Sequence, residues 1–169
     1  MKRVAILGST GSIGVQALDV AARFPERFAV VGLAAGRNVA RLAEQVRRFH
    51  PKVVSVADEA SARELRALVP AGTEVLAGDG GAVAVATHAE VEFVLAAISG
   101  GAGLRSTAAA VEEGKAIGLA NKESLVLAGE LLRARAAARR VAILPSTPST
   151  APSTSRSPAT TGGTYAGSS

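Results

Sequence analysis

Apolar and polar positions follow two rhythms that trade places along this chain as far as Pro145. "RVAILG" is a short apolar run, and it passes at once into "STGSIGVQALDVAARF", where Ile13, Ala17, Val20 and Ala21 fall at helical spacing. "FAVVGLAA" reads as a second strand, "VARLAEQVRRFH" as a helix ended by Pro51, and "KVVSV" as a third strand. The helix "EASARELRALV" is stopped by Pro70 and Gly72. "TEVLAG" then reads as strand, "GGAVAVATHA" as a short helix, "VEFVLAAI" as strand and "GLRSTAAAVEEG" as helix. "KAIGLA", "SLVLAGELLRARAAA" and "RVAIL" complete the series as strand, helix and strand. Strands that are apolar throughout, separated by helices, imply a parallel sheet covered on both faces. The expected fold is therefore a doubly wound, Rossmann-like α/β domain over residues 1–145. From Ser146 to Ser169 the chain turns to Ser, Thr, Pro, Ala and Gly, a low-complexity tail expected to be disordered.

Composition narrows the class without naming a task. A chain of 169 residues suits one domain with a sizeable core. Aromatic residues make up only 3%, so Ala, Val and Leu must carry the packing. Cysteine is absent, which excludes disulfides and thiolate metal sites. The apolar run at the start is interrupted at Gly8, too early for a signal segment, and no stretch approaches membrane-spanning length. A cytoplasmic protein without membrane contact is expected. The net charge of +5 and pI near 10.4 raise nucleic acid as a partner. The basic residues are scattered over helices without interleaved aromatics, so solvated helix faces are the better reading and no nucleic-acid partner is expected.

Specific chemistry begins at "GSTGSIG", between the first strand and the first helix. Gly8 permits a sharp exit from the strand, Gly11 lets backbone approach a pyrophosphate, and Gly14 lets the helix pack tightly. The helix N-terminus supplies free N–H groups, and Thr10 and Ser12 add hydroxyls. A glycine turn alone also serves purely structural ends; its place at the end of strand one favours a dinucleotide site. The second strand ends "LAAGRNVA", with no carboxylate to accept from a ribose 2′-OH. Arg37 stands there instead, suited to grip a 2′-phosphate, or to serve as plain surface charge. Asn38 offers a further donor or a helix cap. NADPH is thus expected over NADH.

In "GLANKESLVLAGELL", Asn121, Lys122 and Glu123 are expected together between a strand and the next helix, at the sheet edge where ligands of such folds gather. Capping and solvated charge would explain the same residues. Taken together, "GSTGSIG", "GRNV", "ISGGAGL" and "LANKESLV" resemble the N-terminal, NADPH-binding domain of the 1-deoxy-D-xylulose 5-phosphate reductoisomerase family, from about Lys2 to Pro145. The resemblance implies an enzyme that rearranges and reduces 1-deoxy-D-xylulose 5-phosphate to 2-C-methyl-D-erythritol 4-phosphate, with NADPH and divalent Mg or Mn, in isoprenoid biosynthesis. It implies a sugar phosphate substrate and a homodimer. It assigns Thr10, Gly11, Ser12 and Ile13 to the cofactor phosphates, and Gly36, Arg37 and Asn38 to the adenosine ribose and its 2′-phosphate. Asn121 and Glu123 would line the nicotinamide side, Lys122 would reach the substrate, and the turn Ile98 to Leu104 would lie beneath the nicotinamide. His50 and His88 match no ligand of the family and read as ordinary helix or loop residues.

The tail departs from the family, whose members continue after "ILP" close to V-D-S-E-H-S-A, with metal-binding Asp and Glu. Codons GTC GAC TCC GAG CAC AGC GCC, read one base late, encode S-T-P-S-T-A-P, which is Ser146 to Pro152 here. A frameshift after Pro145 explains the order of residues as well as their composition. No Asp or Glu occurs after Glu130, so the family's metal ligands are missing and turnover by this chain is not expected. Two other readings stand beside this one. The first is an NADPH-binding module without catalysis. The second is another NADP oxidoreductase such as a semialdehyde dehydrogenase, which the lack of a Cys disfavours.

Overall fold

The structure, a computed structural model, describes residues 1–98, 100–120 and 122–145, with backbone alone at 102, 122–125, 127, 128 and 145. The tail from 146 and the frameshift inferred there lie outside the described residues, as does Asn121.

Among the described residues seven strands and six helices alternate: β1 (Lys2–Leu7), α1 (Ser12–Arg23), β2 (Phe28–Ala34), α2 (Val39–Phe49), β3 (Val53–Val56), α3 (Glu59–Leu68) and β4 (Glu74–Ala77). They continue with α4 (Gly78–Thr87), β5 (Phe93–Ala96), α5 (Gly101–Glu112), β6 (Ala116–Leu119), α6 (Lys122–Arg139) and β7 (Ile143–Pro145). All neighbouring strands pair parallel, in the order β4-β3-β2-β1-β5-β6-β7.

That order follows from the chemistry of the runs. Successive strand residues point to opposite faces, and both sets are apolar. Val4 and Ile6 join Leu18, Leu42 and Leu65 of α1, α2 and α3 on one face. Ala5 and Leu7 join Val85, Val111 and Leu132 of α4, α5 and α6 on the other. Right-handed crossovers stepping from β1 to β4 put the first three helices on one side. The chain then crosses back through α4, and β5, β6 and β7 extend the sheet the other way. Strand order therefore reverses between β1 and β5, where ligands of open α/β sheets bind.

Two boundaries differ from the sequence pattern in an informative way. Helix α4 begins at Gly78, so Asp79 occupies its first turn, where a negative charge meets the helix dipole favourably. Helix α6 begins at Lys122, so Lys122 and Glu123 open the helix rather than standing between strand and helix. Both are good helix formers, and glutamate suits a first turn. His50 ends α2 in a left-handed conformation just before Pro51, and His88 ends α4, its Nδ1 accepting from the Glu90 amide at 3.3 Å.

Candidate functional site

The turn after β1 is shaped by two glycines that admit no side chain. Gly8 has φ +86°, and a Cβ there would lie 2.7 Å from the Ala97 carbonyl oxygen at the end of β5. At Gly14 a Cβ would fall 2.2 Å from the Gly8 carbonyl oxygen and 2.6 Å from Ser9 Cα, so the first turn of α1 rests directly on the strand exit. Gly11 is different: its Cβ would meet only the Gly8 carbonyl oxygen, at 3.4 Å. Packing therefore explains Gly8 and Gly14 and leaves Gly11 to another cause.

The amides of this turn divide into used and open groups. Gly8 and Ser9 both donate to the Ala34 carbonyl, at 2.7 and 2.9 Å, and Gly11 donates to Gly8 at 3.1 Å. The helical bonds of α1 begin with Val15 donating to Gly11, at 2.9 Å. Ser12, Ile13 and Gly14 occupy the first three helical positions, whose amides have no partner within the helix. The cap residue Gly11 supplies no side-chain bond either. Beside these amides lies a cavity of about 270 Å³ lined by Gly8, Gly11, Ser12, Ile13, Gly14, Ala97 and Ala120. Its walls come from the ends of β1, β5 and β6, at the point where strand order reverses. Open N–H groups, a helix dipole and an adjoining cleft make this a place for an anion.

The sequence-derived residues fall into three groups around it. Thr10, Gly11, Ser12 and Ile13 form the turn and open α1, with Ile13 39% exposed. Gly36, Arg37 and Asn38 form the exposed loop between β2 and α2. Lys122 and Glu123 open α6, which begins two residues after Ala120, a residue that lines the cavity. The turn after β5 abuts the first: Ala97 donates to Leu7 at 2.8 Å, and Gly100 caps α5 with φ +83°. At Gly103 a Cβ would lie 2.3 Å from the Ile98 carbonyl oxygen, repeating at β5 the close approach made by Gly14 at β1.

One contact of the loop after β2 was not legible locally. Its own segment carries no carboxylate, yet the fold brings one to it: Arg37 Nε donates to Asp58 Oδ2 at 2.8 Å, from the turn between β3 and α3. The Arg37 guanidinium, followed by the bond from the Ser61 amide, lowers the Asp58 pKa from 3.8 to about 2. Asn38 Oδ1 accepts from the Arg41 amide at 3.2 Å and caps α2, which leaves its amide nitrogen available as a donor. Arg41 and Gln45, unnoticed in the sequence, reach from α2 to the glycine turn. Their signal was faint: Gln45 is a buried polar residue among the apolar positions Val39, Leu42, Ala43 and Val46.

Among the described residues no group of three or more His, Asp or Glu side chains gathers, and no helix is long and apolar enough to cross a membrane. Several basic residues outside the site form ion pairs, among them Arg48 with Asp19, Arg66 with Glu59, and Arg135 and Arg139 with Glu112.

Comparison with known proteins points one way. Residues 4–129 match the family model described as 1-deoxy-D-xylulose 5-phosphate reductoisomerase. The chain is 78% identical over 145 residues to the protein of that name from Anaeromyxobacter dehalogenans, covering 86% of this chain and 37% of the relative. A solved structure of the reductoisomerase from Zymomonas mobilis in complex with NADPH is 38% identical, with a TM-score of 0.80 over 85% of this chain and 38% of that one. Another, of the reductoisomerase with NADPH, fosmidomycin and magnesium, has a TM-score of 0.79 at 38% identity, over 86% of this chain and 36% of that one. The chain thus spans little more than a third of the length of these relatives.

Proposed function

This chain belongs to the 1-deoxy-D-xylulose 5-phosphate reductoisomerase family, and we propose that its part in that chemistry is to bind and orient NADPH. The family uses NADPH and a divalent metal. NADPH supplies a hydride when bound. The observation that carries the proposal is the row of open amides at Ser12, Ile13 and Gly14 beside a cleft of about 270 Å³.

In this reading Thr10, Gly11, Ser12 and Ile13 receive the cofactor diphosphate, with backbone N–H groups and hydroxyls donating to its oxygens. Gly36, Arg37 and Asn38 take the adenosine ribose and its 2′-phosphate. The Nη atoms of Arg37 remain to form a fork on that phosphate while Nε keeps Asp58. Asn121 and Glu123 serve the nicotinamide end, and Lys122 the phosphorylated sugar that the family converts. The start of α6 two residues after cavity-lining Ala120 supports that placement.

The described residues fit the nucleotide and do not fit the metal, so no rearrangement step is assigned to them. The reading is of a cofactor-binding domain at residues 1–145, in the cytoplasm, with a small sugar phosphate as the family's substrate and a homodimer as its assembly. The ion-paired basic residues favour solvated faces over a nucleic-acid surface.

Fluorescence titration tests the proposal: the chain is expected to bind NADPH more tightly than NADH, and absence of NADPH binding by a folded chain would refute it. Addition of the sugar phosphate with Mg or Mn is expected to give no turnover. Metal-dependent NADPH oxidation would show that the chain carries catalytic parts beyond those named.

A further inference from the structure

Helix α2 holds the glycine turn at two consecutive carbonyls. Gln45 Nε2 donates to the Ser9 carbonyl oxygen at 2.8 Å, and Arg41 Nη1 donates to that of Thr10 at 3.3 Å. Residues 41 and 45 are one helical turn apart and share a face of α2. In a trans peptide the N–H points opposite to its C=O. Drawing the Ser9 carbonyl toward α2 therefore turns the Thr10 amide away from that helix. Drawing the Thr10 carbonyl the same way sets the plane of the Gly11 amide, which closes the turn on Gly8 at 3.1 Å. Glycine-flanked peptides flip easily when nothing holds them.

We propose that Arg41 and Gln45 are positioning residues that lock the peptide planes of the Gly8–Gly14 turn and so set the affinity for the dinucleotide diphosphate; this rests on the NADPH reading above. Packing does not account for the pair. Gln45 is 8% exposed, and its Oε1 and Ser9 Oγ lie buried without a hydrogen-bond partner among the described residues. A leucine at position 45 would avoid that desolvation cost, so the amide is there for the bond it makes. Arg41 is exposed and has no ion pair among the described residues, yet it is drawn to a neutral carbonyl on the turn. The same helix begins with Arg37 and Asn38 immediately before it, so α2 links the 2′-phosphate loop to the diphosphate turn.

The test uses the full chain and three probes: NADPH, NADH and adenosine 2′-monophosphate, which has no diphosphate. Gln45→Leu and Arg41→Leu are expected to weaken NADPH and NADH alike, by about 10-fold, the scale of one lost hydrogen bond. Affinity for the mononucleotide should stay within about twofold of the unaltered chain. Arg41→Lys, which keeps a donor, should recover most of the loss. Hydrogen exchange at the Gly11 amide should quicken in Arg41→Leu, an exposed change that leaves the core intact. Dinucleotide affinity in both leucine variants unchanged from that of the unaltered chain, or parallel loss of the mononucleotide, would overturn the inference. An unaltered chain that binds no dinucleotide would overturn the cofactor reading as well, which separates the two failures.

Discussion

The turn from Gly8 to Gly14 and the loop from Gly36 to Asn38 stand at the C-terminal ends of neighbouring strands, and both face phosphate in the proposed function. The first offers backbone. Its amides are placed by close packing of Gly14 on the strand exit and by bonds from α2, so they are ready before any ligand arrives. The second offers side chains, and its cation is already engaged: Arg37 is 81% exposed but bound to Asp58. Binding at the first site completes bonds that the fold left open. Binding at the second asks the guanidinium to serve a phosphate and a carboxylate together. Affinity should therefore depend chiefly on the turn, and discrimination between NADPH and NADH on the loop.

The largest break in that comparison is Gly14→Ala. The added methyl would meet backbone at 2.2 Å, which no side-chain adjustment relieves. A loss of about 3 kcal/mol or more is expected in urea denaturation, together with loss of cofactor binding. Arg37→Ala should cost only the small stability of an exposed ion pair, leave NADH affinity unchanged and weaken NADPH by about 10- to 100-fold, the range for a charge-assisted bond. Equal weakening of both nucleotides in titration would deny Arg37 its 2′-phosphate role.

Gly11→Ala sharpens the same contrast. The fold tolerates the methyl, so the melting temperature should hold while NADPH and NADH both weaken about 10-fold. A stability loss like that of Gly14→Ala would make Gly11 structural. Asp58→Asn should have the smallest effect: it keeps an oxygen to cap α3 and removes a negative charge beside the incoming phosphate. NADPH should tighten about threefold with NADH unchanged. Because Arg37 and the Ser61 amide lower the Asp58 pKa to about 2, the carboxylate is charged throughout the neutral range. Its contribution to the fold is present above the ordinary value of 3.8 and fades as pH falls through about 2. Acid unfolding followed by circular dichroism should show that difference between the parent and Asp58→Asn.

Much of the architecture was legible because each strand is a short run apolar on both sides and each helix has its own period and stop. The glycine turn was legible for a similar reason: local spacing, with Gly8 and Gly14 doing what the pattern suggests. What escaped were contacts between distant segments. Gln45 meets Ser9 across 36 residues, Arg41 meets Thr10 across 31, and Arg37 meets Asp58 across 21. A strand end without a carboxylate of its own still acquires one when β3 pairs beside β2. Helix α6 starts two residues before its apolar pattern does, because Lys122 and Glu123 suit a helix as well as a loop.

The most direct measurement is an amide nitrogen–proton NMR titration of the unaltered chain with NADPH. The amides of Ser12, Ile13 and Gly14 are expected to shift most, with those of Gly36 to Asn38 moving for NADPH and little for NADH. Saturable binding that leaves the three turn amides where they were would contradict the account.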